Sequence, residues 1–200
     1  MKMTKLELRS QQLRLKALQK YLPTLKLKKG LLQAELLSAR QAAAHVEKLL
    51  NLETQRCEEL APLLSEPLPI DLSASIATVQ LFKRFEHHAG IELPLFERVE
   101  FAGLEYSLEE TPIWVDGVLG ALRGLKRLRL EFQIALERVE KLEMSLREIT
   151  TRVNLFEKIL IPRTEKAIRK ISVFLSDLQL SAVARAKVAK GKIEARKHAS

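Results

Sequence analysis

From Leu15 onward, apolar residues recur in alternating steps of three and four. The positions are Leu15, Leu18, Leu22, Leu25, Lys29, Leu32, Leu36, Ala39, Ala43, Val46 and Leu50, and only Lys29 breaks the apolar pattern. Strict alternation over about five heptads is the period of a coiled-coil helix, and such a helix needs a partner. Lys29 falls at an a position, where a charge fixes register at some cost in stability. The same run carries Pro23 and Gly30, both unfavourable inside helices. Each lies one residue past an a position, on the outward side, so Pro23 can bend the helix without leaving a gap in the seam.

A second seam begins at Leu125. It runs through Leu128, Phe132, Ala135, Val139, Leu142, Leu146, Ile149, Val153, Phe156 and Leu160, all apolar. Beyond Leu160 the phase changes: positions 156, 160, 164 and 168 are separated by fours before the pattern resumes at Ile171, Leu175 and Leu178. An insertion of this kind is a stutter, which locally unwinds a left-handed supercoil. Pro162 lies inside it. The two seams are expected to pair with each other, antiparallel. In that register Pro23 stands opposite the low 150s, about one to two helical turns from Pro162. Pro23 and Pro162 then mark one bent zone in both helices. Two unrelated kinks are the alternative.

The middle of the chain reads differently. APLLSEPLPIDLS holds three prolines and ends the first helix. SIATVQLFKRFEHHAG reads as a short helix closed by Gly90. Phe96, Val99, Phe101, Leu104, Tyr106 and Leu108 alternate with polar residues around a candidate turn at Ala102 and Gly103, which suggests a small β-hairpin. Asp116 is a candidate N-cap for the second long helix. The expected fold is mainly α: a long antiparallel two-helix coiled coil from the N- and C-terminal segments, with a central short helix and a small β-hairpin. Residues 1–58 form the first long helix, 59–116 the middle segment, and 117–200 the second long helix and a tail.

Composition agrees with long helices. Glycines number 7, aromatic residues make up 5% and charged residues 30%, which disfavours a compact α/β or β-rich domain. The single cysteine, Cys57, excludes an internal disulfide framework and fits a reducing compartment. MKMTKLELRSQQ has no apolar core of the kind a signal peptide carries, and no stretch approaches the ~18 apolar residues of a membrane span. A cytoplasmic protein is expected.

The net charge of +9 is unevenly divided: +7 over residues 1–58, −8 over 59–116 and +10 over 117–200. An antiparallel pairing brings both basic ends together, so Lys2, Lys5, Arg9 and Arg14 join Arg185, Lys187 and Lys190 in one basic tip. Such a tip could bind nucleic acid, sit in an acidic protein cavity, or simply be solvated. No aromatic residues interleave with the basic ones near the C-terminus, so stacking on single-stranded bases has no support. The acidic middle gives a nucleic-acid-coating protein no use for its charge.

Catalytic chemistry is nearly absent. No phosphate-binding G-x-x-x-x-G-K-[ST] loop occurs. His87 and His88 follow Glu86, but no further His or Cys stands at zinc-like spacing; they read as partly exposed histidines at a helix end. Gly117, Gly120 and Gly124 suggest close backbone approach near the start of the second helix. No cofactor is expected.

Taken together, YLPTLKLKKGLLQAELL, ERVEFAGLEYSLEETPIWVD and ITTRVNLFEKILIPRTEKAIRKI resemble the D subunit of the V-type (A/V-type) ATPases, bacterial members above all. The resemblance covers essentially the whole chain. Its most specific element is a T-x-R-V-N-x-x-E-x-x-x-I-P pattern, carried by Thr150, Arg152, Val153, Asn154, Glu157, Ile161 and Pro162. Many members carry two arginines before Val-Asn, whereas Thr151 precedes Arg152 here. The resemblance implies a non-catalytic central rotor shaft. Its partners would be the catalytic A and B subunits, a small F subunit and the adaptor on the membrane rotor. It would lie peripheral to the membrane through that complex, binding neither nucleotide nor nucleic acid itself. F is expected near residues 40–58 and 120–145. A basic coiled-coil nucleic-acid-binding or scaffold protein is the competing reading.

Overall fold

A computed structural model describes residues 2–65, 76–103, 112 and 114–198. Helix α1 spans Lys5–Leu60 and ends in a 3₁₀ turn, Ala61–Ser65. Strands β1 (Thr78–His88) and β2 (Ile91–Phe101) form an antiparallel two-stranded sheet. Helix α2 spans Trp114–Asn154, a π-helical turn covers Leu155–Leu160, and helix α3 runs over Ile161–His198. The fold is mainly α, with paired antiparallel helices and one β-hairpin. The chain divides into two compact units, residues 28–148 and residues 1–27 with 149–200.

In the unit of residues 28–148, Leu32, Leu36, Ala39 and Ala43 of α1 are buried together with Val115, Val118, Leu119, Ala121, Ile134 and Leu142 of α2. Arg40 of α1 pairs with Glu143 of α2, and Glu53 lies against Gly124, so these helix segments run antiparallel. Leu32 and Leu142 retain no exposure; burying each such side chain contributes about 1.5–3 kcal/mol. Gly30 is exposed, on the outward side of α1. Of the three glycines early in α2, only Gly124 sits at a close approach: a Cβ there would meet Glu53 Oε1 at 3.3 Å, while Gly117 and Gly120 face open space. Asp116 lies within the first turn of α2 and is not its cap, because the helix already begins at Trp114. A carboxylate there still favours the positive end of the helix dipole.

The hairpin lies earlier than the sequence suggests. The stretch read as a short helix is strand β1, and its partner is the segment Ile91–Phe101. Two register shifts, between Thr78 and Gln80 and between Phe82 and Lys83, explain the misreading. A bulge inserts an extra residue and breaks the two-residue alternation. The less exposed positions on β1 become Thr78, Leu81, Phe82 and Glu86, a spacing that imitates a helix. Gly90 is not a helix cap. With Ala89 (φ 50°) it forms a two-residue turn, both residues having positive φ, as tight hairpins favour. Ala102 follows β2, and its N–H donates to Ala77 O at the base of the hairpin. Leu104, Tyr106 and Leu108 lie outside the described residues.

In the other unit, Leu18 of α1 is buried, as are Ile149, Val153, Thr164 and Ile171. Lys26 meets Glu157, while Gln11 and Arg14 share a cavity of about 290 Å³ with Arg163 and Thr164. That order makes this pairing antiparallel too. The stutter takes the form of the π turn. From Phe156 to Ile168 the chain advances twelve residues for three steps along the seam, whereas about eleven fit a nearly straight helix. A π turn closes i→i+5 hydrogen bonds and absorbs the extra residue; the Ile161 N–H donates to Phe156 O. Thr164 brings a hydroxyl into the seam and donates it to Leu160 O at 2.7 Å, so its burial leaves no orphaned group. The seam stops sooner than the sequence suggests, since Leu178 is 55% exposed. Helix α3 continues through the tail to His198, in keeping with its Ala, Lys, Glu and Arg content.

Candidate functional site

Two surfaces gather the residues of interest. The first is the zone around the π turn. Within the motif of residues 150–162, Val153 is buried, Thr150 is half-buried, and Arg152, Asn154 and Glu157 are exposed. Glu157 Oε1 accepts from Lys26 Nζ at 2.7 Å. Asn154 is the residue at which α2 gives way to the π turn, and Pro162 follows that turn in the first turn of α3. Pro23 is exposed on α1. The motif therefore surrounds an irregularity in the helix.

The seam residues, inside this zone and beyond it, are placed as follows. Leu22, Leu25, Leu128, Phe132, Val139, Leu146, Phe156 and Leu160 are half-buried, and Leu18, Leu32, Leu36, Leu142, Ile149 and Val153 are buried. The basic residues Lys2, Lys5, Arg9, Arg14, Arg185, Lys187 and Lys190 are all exposed.

The second surface is the hairpin where it lies on the helices of residues 28–148. Leu93 and Pro94 of β2 are buried. Cations on α2 strap the strands down along its length. Arg123 donates to Ala102 O at 2.9 Å and stacks over Phe101, and Arg127 stands over Phe96. Lys83 of β1 donates to Glu137 at 2.8 Å. That hydrogen bond, with one from Lys141, holds the Glu137 carboxyl below the usual carboxylate range. Arg138, 13% exposed, donates through Nη2 to Glu35 Oε1 at 2.6 Å and has Nη1 3.7 Å from Glu86 Oε2. His88 completes this cluster beside Glu35 and Glu86. A cavity of about 270 Å³ opens next to it, walled by Ala39 and Ala42 of α1, Pro94 and Phe96 of β2, and Ile134 and Ala135 of α2.

This charged cluster is not visible in the sequence. Helical spacing hides the strand that carries Glu86 and His88, and their neighbours Glu35 and Arg138 lie far away in the chain, so only the hairpin register reveals the grouping. Cys57 is half-buried, and burial, then the neighbouring Glu53 carboxylate, pushes its thiol up. That direction opposes nucleophilic use.

A family model for the ATP synthase D subunit matches residues 7–191. The chain belongs to the ATP synthase D-subunit family. It is 42% identical over 197 residues to the V-type ATP synthase D subunit of Chlamydia muridarum, covering 98% of this chain and 97% of that one. The corresponding protein of Chlamydia pneumoniae is 43% identical over 197 residues, covering 98% and 94%. That of Chlamydia caviae is 38% identical over 200 residues, covering 100% and 96%. The family match spans both surfaces, the π-turn motif and the strapped hairpin. Among the described residues, no helix of this family member is long and apolar enough to cross a membrane.

Proposed function

We propose that this chain is the non-catalytic central rotor shaft of a V-type (A/V-type) rotary ATPase or ATP synthase. It would transmit torque between the ring of catalytic A and B subunits and the ion-translocating rotor in the membrane. The observation that carries this reading is family membership over nearly the whole chain, from residue 7 to 191. Close pairing of long antiparallel helices supports it, since two packed helices resist twisting better than single helices joined by loops. The basic tip around Lys5, Arg9, Arg14 and Arg185 would turn inside the ring, where exposed Lys and Arg side chains make weak, transferable contacts. The small F subunit and the membrane-rotor adaptor would bind elsewhere on the chain, with F near residues 40–58 and 120–145. The chain would be held at the cytoplasmic face through the complex and would bind no nucleotide.

A shaft must present unequal sides to equivalent catalytic pairs. Pro23 and Pro162, with the π turn just ahead of Pro162, would supply that asymmetry as a bend that decides which catalytic interface closes. Two measurements test the reading. A tagged pull-down from gently solubilised membranes, washed at moderate salt, is expected to recover A, B and F subunits in fixed ratio; recovery of nucleic acid or lipid without nucleotide-binding subunits would overturn it. Complexes assembled with Pro23→Ala and Pro162→Ala together are expected to show altered ATP hydrolysis or coupling per complex. Unchanged values would sink the role given to the bend.

A further inference from the structure

Between Val153 and Thr164, both 5% exposed, no side chain is buried, and on α1 none is buried from residue 19 to residue 27. Contacts across the pair put these two bare stretches at one level. Lys26 meets Glu157, and Gln11 and Arg14 line the cavity of about 290 Å³ with Leu160, Arg163 and Thr164. Pro23 falls between those crossing points on α1, as Pro162 does on the facing helix. Both prolines and the π turn therefore coincide. Neither proline supplies a backbone N–H. Pro162 follows the π turn without a break, so it sits inside the helix and not at a free start. The π turn replaces i→i+4 bonds with the wider i→i+5 closure, as where the Ile161 N–H donates to Phe156 O. Its apolar side chains do not offset that, since Leu155 is 40% and Ile159 53% exposed.

We propose that residues 154–163, with the facing stretch of α1, form a yielding joint: a segment whose hydrogen bonds open locally while the seam on either side stays closed. Local opening costs least where few apolar side chains must leave their packing and the backbone bonds are weakest. Both conditions meet here. Ile149 and Val153 on one side, and Thr164 and Ile171 on the other, hold the flanks, because opening there pulls buried side chains out of the seam. The Lys26–Glu157 pair crosses the joint with its side chains 50% and 45% exposed, and such a pair does little to oppose opening. A twisting or bending load on the pair would be taken up at this level before the flanking seam parts. The joint is distinct from a fixed bend, being defined by transient opening and not by an angle. It is a property of the chain alone and does not depend on the rotor-shaft reading.

Backbone hydrogen exchange on the full chain, corrected for intrinsic rates, tests it. Protection of the Leu160, Ile161 and Arg163 amides is expected to be about ten-fold or more below that of the Ile149, Val153 and Ile171 amides. Pro162→Ala supplies the missing N–H. It is expected to raise protection of Ile161 and Arg163 about two- to ten-fold, the scale of one backbone hydrogen bond, and to leave Ile149 and Val153 unchanged. Deleting Lys158, which takes out the surplus residue, is expected to narrow the same deficit by an independent route. Equal protection on the joint and its flanks in the unmodified chain would overturn the proposal, as would a deficit that neither variant narrows.

Discussion

Lys26 Nζ stands 2.7 Å from Glu157 Oε1, joining the helix that carries Pro23 to the π turn that precedes Pro162. The two side chains are 50% and 45% exposed. A pair so wet contributes between about 0 and 1 kcal/mol, so it marks the register more than it holds it. The register matters because it puts both prolines and the inserted residue in one unit.

If the π turn exists to absorb one surplus residue, removing one residue should restore an ordinary α turn and leave the flanking faces in phase. Deleting the exposed Lys158 is expected to keep the helical signal and the thermal midpoint of the chain, read by circular dichroism. Deleting Lys158 and Ile159 together rotates everything that follows by about 100° relative to the seam. That variant is expected to melt at a lower temperature, because Thr164, Ile168 and Ile171 no longer face α1.

The seam itself predicts a sharp contrast between neighbours. Leu32 and Leu142 are wholly buried, while Leu37 is 61% and Met144 59% exposed. Leu32→Ala or Leu142→Ala is expected to cost about 2–5 kcal/mol, from lost burial and an unfilled cavity. Leu37→Ala and Met144→Ala are expected to stay within about 0.5 kcal/mol. Urea denaturation of the four variants checks both halves of the expectation.

Legibility in the sequence follows how local each signal is. The helix seams can be read because one period runs undisturbed through Leu32, Leu36, Ala39 and Ala43, and it requires only knowledge of the chain itself. The change of phase after Leu160 is equally visible, although spacing alone does not distinguish an unwound supercoil from a π turn. Strand β1 is hidden because the hairpin's two register shifts, one with its extra residue on β1 and one with it on β2, leave Thr78, Leu81, Phe82 and Glu86 spaced as a helix would space them. Once the turn at Ala89 and Gly90 is misplaced, the partners of His88 cannot be deduced. Glu35 and Arg138 read as solvated helix charges until the hairpin is laid on them.

The turn offers a test of that corrected topology. Gly90 has φ +74°, a conformation that costs a residue with a side chain, yet a Cβ there would find only Lys28 Nζ, at an ordinary 3.6 Å. The penalty for Gly90→Ala is therefore conformational, about 1–2 kcal/mol. Ala89 already bears such strain at φ 50°, so Ala89→Gly relieves it while making the unfolded chain more flexible. The expected order of hairpin protection in hydrogen exchange is Ala89→Gly equal to or above the unmodified chain, and Gly90→Ala below it. Had this stretch been a helix closed by a glycine cap, Ala89→Gly would instead weaken it.

Glu137 supplies a pH dependence whose sign is fixed by its neighbours. The hydrogen bond from Lys83 holds its carboxyl below the usual range, so its pKa is lower in the folded chain than in the unfolded one. Its contribution is then present above the ordinary carboxylate value of about 4.3 and is lost as pH falls through the lower, folded value. Both side chains are about a third exposed, at 32% and 37%, which limits the coupling to about 0.5 kcal/mol. A double-mutant cycle with Lys83→Met and Glu137→Gln is expected to return that coupling at pH 7 and essentially none near pH 2.5. Lys141 also reaches Glu137, at 3.2 Å, so Lys83→Met alone should remove only part of the acid sensitivity that Glu137→Gln removes. Equal coupling at both pH values would mean that the hairpin is held at this point by the lysine's aliphatic stem and not by its charge.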